Sequence, residues 1–236
     1  MKHSSNDLYT GGKYFTCHPD WHEEDAAWKA DLIYQIIKRN HISAHSMVEV
    51  GCGAGGILRA LSLKDANIQS LKGYDISQQA IALAVPKQND RLTFHNEDYL
   101  QVSSEEVDML LVIDVLEHVD DYYGFLRKLK TRSNRFVFHI PLDLCCRTMI
   151  KSHVLLQQRE SVGHIHYFCK EMVCWFLQDT GYQVIDWFYT KPVIDEQSPD
   201  SLKRRLQKRL RNLSFRLSKD MSAKLWGGYS MMVLAK

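Results

Sequence analysis

Met47-Val48-Glu49-Val50-Gly51-Cys52-Gly53-Ala54-Gly55-Gly56 is a short apolar run that ends in an acid and a glycine-rich turn. The chain then passes into Ile57-Leu58-Arg59-Ala60-Leu61, which reads as the start of a helix. Strand, turn and helix follow in the order a nucleotide-type ligand needs. Glycines let the backbone bend sharply and approach a ligand with no Cβ in the way. Glycine spacing alone is weak evidence, so the surrounding chain has to decide the matter.

Upstream, residues 9–20 are irregular and aromatic. From 21 to 39, Trp28, Leu32, Ile33, Ile36 and Ile37 recur at helical spacing behind the acids Glu23, Glu24 and Asp25, which suit a helix N-terminus. Downstream, strands are predicted over 69–76, 92–95, 107–115, 135–140 (closed by Pro141), 183–190 and 227–235. Helices are predicted over 78–84, from 122 through Leu129, and over 170–180, where Gly181 ends the last. The run 107–115 is almost wholly apolar, as in a strand buried on both faces. Residues 142–163 read as a helical excursion, 192–199 as a loop, and a basic helix follows. Strands alternating with helices mean an α/β protein with a parallel core.

The 236 residues are 45% hydrophobic and 25% charged, ordinary globular composition. No apolar run approaches the roughly 18 residues of a membrane span, and the N-terminus lacks the apolar core of a signal peptide, so a cytoplasmic protein is expected. The six cysteines form no CxxC pair or zinc-ribbon spacing and read as reduced packing thiols. The net charge of +2 hides an asymmetry: residues 203–219 hold eight Lys and Arg, leaving a body near −6. That balance excludes a general nucleic-acid binder.

Two ligand classes compete for the turn. A dinucleotide fold wants GxGxxG, which Gly51, Gly53, Gly55 and Gly56 fit only loosely. The acid Glu49 inside the first strand, and Asp75 at the end of the next, about 20 residues on where a ribose-binding carboxylate belongs, favour a different nucleoside. Val48-Glu49-Val50-Gly51-Cys52-Gly53-Ala54-Gly55, Gly73-Tyr74-Asp75-Ile76-Ser77, Asn96-Glu97-Asp98 and Asp114-Val115-Leu116-Glu117-His118 resemble the successive motifs of class I S-adenosylmethionine-dependent methyltransferases. The likeness covers roughly residues 21–190 and the final strand. Within the class the chain looks most like the small-molecule O- and N-methyltransferases related to the ubiquinone-pathway group; Gly163-His164-Ile165-His166-Tyr167-Phe168 before a helix suits that group.

The resemblance implies a Rossmann-like three-layer α/β sandwich whose seven-stranded, mostly parallel sheet has an antiparallel last strand. It implies one methyltransferase domain over 1–236, with a cap helix region at 1–40, a cap insertion at 142–168 and a basic helical insertion at 191–226. S-adenosyl-L-methionine would be the cofactor and S-adenosyl-L-homocysteine the product. The 51–56 turn, with Gly51, Cys52, Gly53 and Gly55, would approach the methionine part, and Glu49 would support the turn or the amino group. Asp75 would accept both ribose hydroxyls. Asp98 and the Tyr99 backbone would read the adenine edge, with Ile76 against its face. Asp114 would lie by the amino group, and Lys29 would offer a cation for the methionine carboxylate.

For a small-molecule or glycan-type acceptor with a hydroxyl, a histidine base near neutral pKa is the usual helper. His118, His139, His164 and His166 lie at or just past strand ends; His118 or His166 is the first choice, His164 the next. A metal site from His22, His118, His164, His166 and Asp114 has no ligand spacing behind it, and none is expected. In the basic helix Leu202, Leu206, Leu210, Leu213 and Leu217 form one stripe. It reads as a docking face, a dimer seam, or a surface over residues 202–219 for anionic lipid or a phosphorylated substrate. The rival functions are a non-catalytic cofactor-binding module acting through that helix, and an NAD-dependent oxidoreductase.

Overall fold

The structure, a computed structural model, describes residues 21, 23–102, 106–191 and 202–236. The irregular stretch at 9–20, His22 and the loop at 192–199 lie outside them, as does the Leu202 side chain. The elements run α1 (Ala26–Arg39), β1 (Ser46–Val50), α2 (Gly56–Lys64), β2 (Ser70–Tyr74), α3 (Gln78–Ala84), β3 (Leu92–His95), β4 (Met109–Ile113), α4 (Tyr122–Leu129) and β5 (Phe136–Leu142). They continue with α5 (Cys146–Ile150), α6 (His153–Ser161), α7 (Lys170–Asp179), β6 (Val184–Thr190), α8 (Leu202–Leu217), α9 (Lys219–Trp226) and β7 (Tyr229–Ala235).

The seven strands form one sheet in the order β3-β2-β1-β4-β5-β7-β6. The first five are parallel, and β7 runs antiparallel to both β5 and β6. All five residues of β4 are buried because both faces are covered. Leu110 and Val112 meet Leu126 and Leu129 of α4 and Val173, Phe176 and Leu177 of α7 in one cluster. Met109, Leu111 and Ile113 meet Ile33, Ile36 and Ile37 of α1 and Leu58 and Leu61 of α2 in the other. Helix, sheet and helix make the three layers, and the apolar stripe of α1 is what attaches the leading helix. Among the described residues no helix is long and apolar enough to cross a membrane.

Two local expectations are corrected. Strand β5 does not stop at Pro141 but continues to Leu142, with Pro141 opposite Ser230 of β7. Its pairing with β4 ends at His139, so beyond that point β5 is an edge on one side, where a residue without an N–H costs no ladder bond. The segment before β7 also holds a second helix, α9, capped by Ser218, whose side chain accepts the Met221 N–H at 3.3 Å.

Strand order reverses between β1 and β4, and the chain segments leaving β1 to β5 all emerge on one rim. Crevices of this kind are where open α/β sheets take ligands. The first of these turns is held tightly. Gly55 has φ +78, and a Cβ there would overlap the Phe94 ring and lie 3.1 Å from Ala84 Cβ. Gly55→Ala therefore combines left-handed strain with a packing clash, and should lower unfolding free energy by about 2–4 kcal/mol. Urea denaturation measures it, and adding Phe94→Leu should restore part of the loss. Parent-like stability would show the turn to be looser than drawn.

Candidate functional site

A cavity of about 780 Å³ opens at the rim of the sheet, within the ~300–1,000 Å³ usual for ligand pockets. One end is walled by the turn after β1 and by Asp75, Ile76, Asp98 and Tyr99; the other by Glu117, His118 and His164. Glu49 lies at the turn end, and Lys29 and Asp114 line the middle.

Backbone hydrogen bonds join the loops. Gly51 and Cys52 N–H groups donate to the Tyr74 carbonyl at 2.8 and 3.1 Å. Asp75 accepts the Gly53 N–H on Oδ2 and the Ser77 N–H on Oδ1, both at 2.8 Å. Asn96 Nδ2 donates to the Asp75 carbonyl at 3.0 Å, tying in the loop after β3. Burial in the cleft raises the Asp75 pKa, while the Ser77 and Gly53 donors oppose the rise. In that third loop Asp98 Oδ1 accepts the Leu100 N–H at 3.0 Å, and Tyr99 packs against Tyr74.

The middle of the cavity holds a charged network. Lys29 of α1 meets Asp114 Oδ2 at 2.9 Å, and His139 Nδ1 meets Asp114 Oδ1 at 2.6 Å. Burial alone would raise the Asp114 pKa, but His139 and Lys29 hold it well below the usual carboxylate range. Burial likewise works against the Lys29 charge, and Asp114 outweighs it, keeping the ammonium above its ordinary value. Glu49 is buried, its carboxyl is pushed well up by desolvation, and its Oε2 has no hydrogen-bond partner among the described residues. Asp114 sits at φ +53, a conformation rare for a residue with a side chain.

At the far end the chain closes on itself. Ile165 and His166 N–H groups both donate to the Glu117 carbonyl, at 2.9 and 3.1 Å, so residues 163–166 lie along 117–119. His118 Nδ1 bonds the Gly163 carbonyl at 3.1 Å, and His164 Nδ1 bonds Asp143 Oδ2 at 2.7 Å. Burial, with His164 beside it, lowers the His118 pKa to about 4. The Glu117 carboxyl is raised well above its ordinary value, first by burial and then by Asp114.

Residues 20–186 match the family model described as a methyltransferase domain, more than half of the chain. The chain belongs to the methyltransferase-domain family. Its fold is shared with solved structures of low identity. A Haloferax volcanii protein solved in complex with the Trm112 methyltransferase activator is 16% identical at TM-score 0.66, covering 94% of this chain and 95% of its own. Magnesium protoporphyrin IX methyltransferase of Synechocystis PCC 6803, with bound S-adenosylhomocysteine, is 14% identical at TM-score 0.62, covering 98% and 96%. The plantazolicin methyltransferase, also with S-adenosylhomocysteine, is 18% identical at TM-score 0.57, covering 96% and 88%. A search of the curated proteins finds no match.

The enzyme is a class I methyltransferase with S-adenosylmethionine as cofactor. The dinucleotide reading of the glycine turn is thereby set aside. The cavity fits the cofactor on two counts. The unpartnered Glu49 Oε2 offers an acceptor to a bound amino group. At Gly53 a Cβ would meet nothing nearer than the Trp21 ring at 3.8 Å, so that backbone borders open space.

The candidate histidines separate. His118 and His164 line the cavity. His139 lies at its floor with Nδ1 on Asp114 and Nε2 2.9 Å from Thr190 Oγ1, so both nitrogens are engaged. His166, one of the two preferred bases, is not in the wall: its Nε2 bonds the Val119 carbonyl at 3.0 Å and its ring packs between Tyr122 and Phe168. Strand-like alternation would put His164 and His166 on one face; the stretch after Gly163 is not a regular strand, and the two rings part. The Cys52 thiol is buried and raised well above its ordinary pKa, which suits a packing residue.

Sequence reasoning missed several residues that form or brace the wall. Lys87 ties the Ala54 carbonyl, at 2.8 Å, to Glu23, also at 2.8 Å. Asp143 anchors both His164 and Gln158 of α6. Glu117 was visible as the acid beside His118, and its adjacency was the available signal; nothing in the sequence marks Asp143.

The Asp114 network gives a pH-resolved test. A carboxylate held low contributes stability above about pH 4 that fades only as pH falls further; a lysine held high contributes below about pH 10. Lys29→Met should thus cost about 2 kcal/mol, less than a fully buried pair because both groups border the cavity. Melts should show a constant deficit from about pH 5 to pH 9. A deficit that vanishes by about pH 5 would mean Asp114 is not held low.

Proposed function

We propose that the enzyme transfers a methyl group to an oxygen or nitrogen of a small-molecule or glycan-type acceptor, as one domain with caps at 1–40 and 142–168. The kin inferred are the O- and N-methyltransferases related to the ubiquinone-pathway group, and the place of action is the cytoplasm. What carries the reading is the Asp75 carboxylate: it lies 2.8 Å from the Gly53 N–H on the same rim as Asp98, with the cavity running on to His118 and His164.

When bound, S-adenosylmethionine supplies a methyl carbon already activated by its sulfonium. The chain's part is to bind, align and exclude water. Each Asp75 oxygen takes one backbone N–H and keeps acceptor capacity for the ribose hydroxyls. Asp98 and the Tyr99 backbone read the adenine edge, with the exposed Ile76 against its face. Gly51, Cys52 and Gly53 let the main chain border the methionine part, whereas Gly55 faces Phe94 and shapes the turn, and Glu49 with Asp114 faces the amino group. Lys29 keeps two ammonium protons beyond its Asp114 contact for the methionine carboxylate. The segment at 142–168 supports the cap reading, because Gln158, Ser161, Val162 and His164 line the cavity. Chemistry on the acceptor belongs to His118 and His164.

Asp75→Ala should weaken S-adenosylhomocysteine binding at least tenfold by calorimetry, since a charge-assisted pair of hydrogen bonds is worth about 1.5–3 kcal/mol per bond. Near-parental affinity would mean the ribose site lies elsewhere.

A contact surface on the basic helix is the second part of the proposal. The leucine stripe was expected as a docking face, yet α8 docks through other residues. Arg211 donates to the Gly227 and Gly228 carbonyls at 2.7 and 2.8 Å, and Phe215 stacks on Tyr229. Leu206, Leu210, Leu213 and Leu217 are left 45–80% exposed among basic residues. That pattern suits a peripheral membrane contact over residues 202–219, with a dimer seam as the alternative. Co-sedimentation with anionic vesicles should exceed that with neutral ones and fall sharply in Leu206→Ser/Leu213→Ser. Equal partitioning would remove the membrane version.

A further inference from the structure

Three side chains converge at the acceptor end of the cavity. Glu117, His118 and His164 each offer a ligand atom, and these atoms all lie within 4.8 Å of one another. Glu117 Oε1 and His118 Nε2 are 3.9 Å apart. A tetrahedral ion with bonds of about 2.1 Å would draw such atoms to ~3.4 Å, a shift within reach of small side-chain rotations.

Two further observations point to a cation. The Glu117 side chain is 1% exposed, and both carboxylate oxygens are buried with no hydrogen-bond partner among the described residues. Orphaned buried acceptors are rare in folded proteins and call for an explanation. The histidines are also oriented as ligands. A carbonyl oxygen can only accept, so the His118 bond to Gly163 puts the ring proton on Nδ1. His164 likewise donates Nδ1–H to the Asp143 carboxylate. In each neutral ring the lone pair is therefore on Nε2, and a carboxylate or carbonyl behind the ring is the support that metal-binding histidines usually have.

We propose that Glu117, His118 and His164 bind a divalent first-row transition-metal ion. Two imidazoles and one carboxylate suit Zn²⁺, Mn²⁺, Fe²⁺ or Co²⁺ better than Mg²⁺ or Ca²⁺, which prefer all-oxygen sites. Three protein ligands leave a coordination position open, and the cavity is the space beside it.

This rests on the methyl-transfer reading above and refines it: the acceptor atom is a hydroxyl oxygen bound at the open position. Coordination makes that O–H more acidic, and its proton passes to water. The oxygen lone pair forms the new O–C bond while the C–S bond electrons stay on sulfur, leaving a neutral thioether. The ion keeps its charge throughout. Asp143 is a positioning residue, acting through His164.

The test uses the full chain, stripped with chelator and titrated calorimetrically with Co²⁺ and with Zn²⁺. One equivalent should bind, and Glu117→Gln and His164→Ala should each weaken it at least tenfold. Asp143→Asn should weaken it about tenfold, the effect of losing a supporting carboxylate. S-adenosylhomocysteine affinity, measured on the same samples, should stay within threefold and so report that each variant is folded. Absence of stoichiometric binding, or binding unchanged in Glu117→Gln and His164→Ala, would overturn the metal site. Loss of S-adenosylhomocysteine binding in the parent would instead sink the methyl-transfer reading while leaving the metal result standing.

Discussion

The rim of this sheet depends on one carboxylate that accepts main-chain protons from two loops. Asp75 takes the Gly53 N–H on one oxygen and the Ser77 N–H on the other. Without it, the glycine turn would lose the contact that fixes its distance from the end of β2. The Tyr74 carbonyl supports the same junction by accepting from Gly51 and Cys52, and Asn96 extends it to the end of β3. Glycine is needed where φ is positive and neighbours press in, as at Gly51, whose Cβ would lie 2.7 Å from Val115. The binding rim is thus made of backbone held by a side chain, which explains why short, separated motifs carry so much of the chain's meaning.

The strands were legible because burial on two faces leaves a composition signal. The run around β4 is apolar throughout since both layers cover it, and the stripe of α1 survives because one face meets the sheet. What local pattern could not show was anything decided by a distant neighbour. Pro141 reads as a strand end until the loss of the β4 partner makes its missing N–H harmless. The leucines of α8 read as a docking stripe, but the docking is done by Arg211, Ser214 and Phe215, which meet α9 and the start of β7. His164 and His166 are equivalent in sequence, and only the zipper onto the Glu117 carbonyl decides which faces the cavity.

Charge placement in the cavity follows a similar logic. Burial raises the pKa of Glu49 and of Glu117, and the Asp114 charge adds to each rise, so burying all three as carboxylates would be costly. The network resolves this unevenly. Asp114 takes the cation and the imidazole and stays ionised, while Glu49 and Glu117 are left with oxygens that nothing in the described residues satisfies. The left-handed backbone at Asp114, a strain of roughly 1–3 kcal/mol, is what turns its carboxylate between Lys29 and His139.

The two unsatisfied carboxyls lie at the two ends of the cavity. Glu49 sits at the end of β1 beside the glycine turn, and Glu117 sits past β4 beside the paired histidines. Asp114 lies between, three residues before Glu117 and held by Lys29 from the leading helix. Polar atoms buried without partners destabilise a fold by about 1–3 kcal/mol each. A chain that keeps them at both ends of one cavity has given up stability where ligands would return it. This asymmetry, with unsatisfied carboxyls at the ends and a locked ion pair in the middle, supports the proposed division of the cavity between a nucleoside at the glycine turn and an acceptor at His118 and His164.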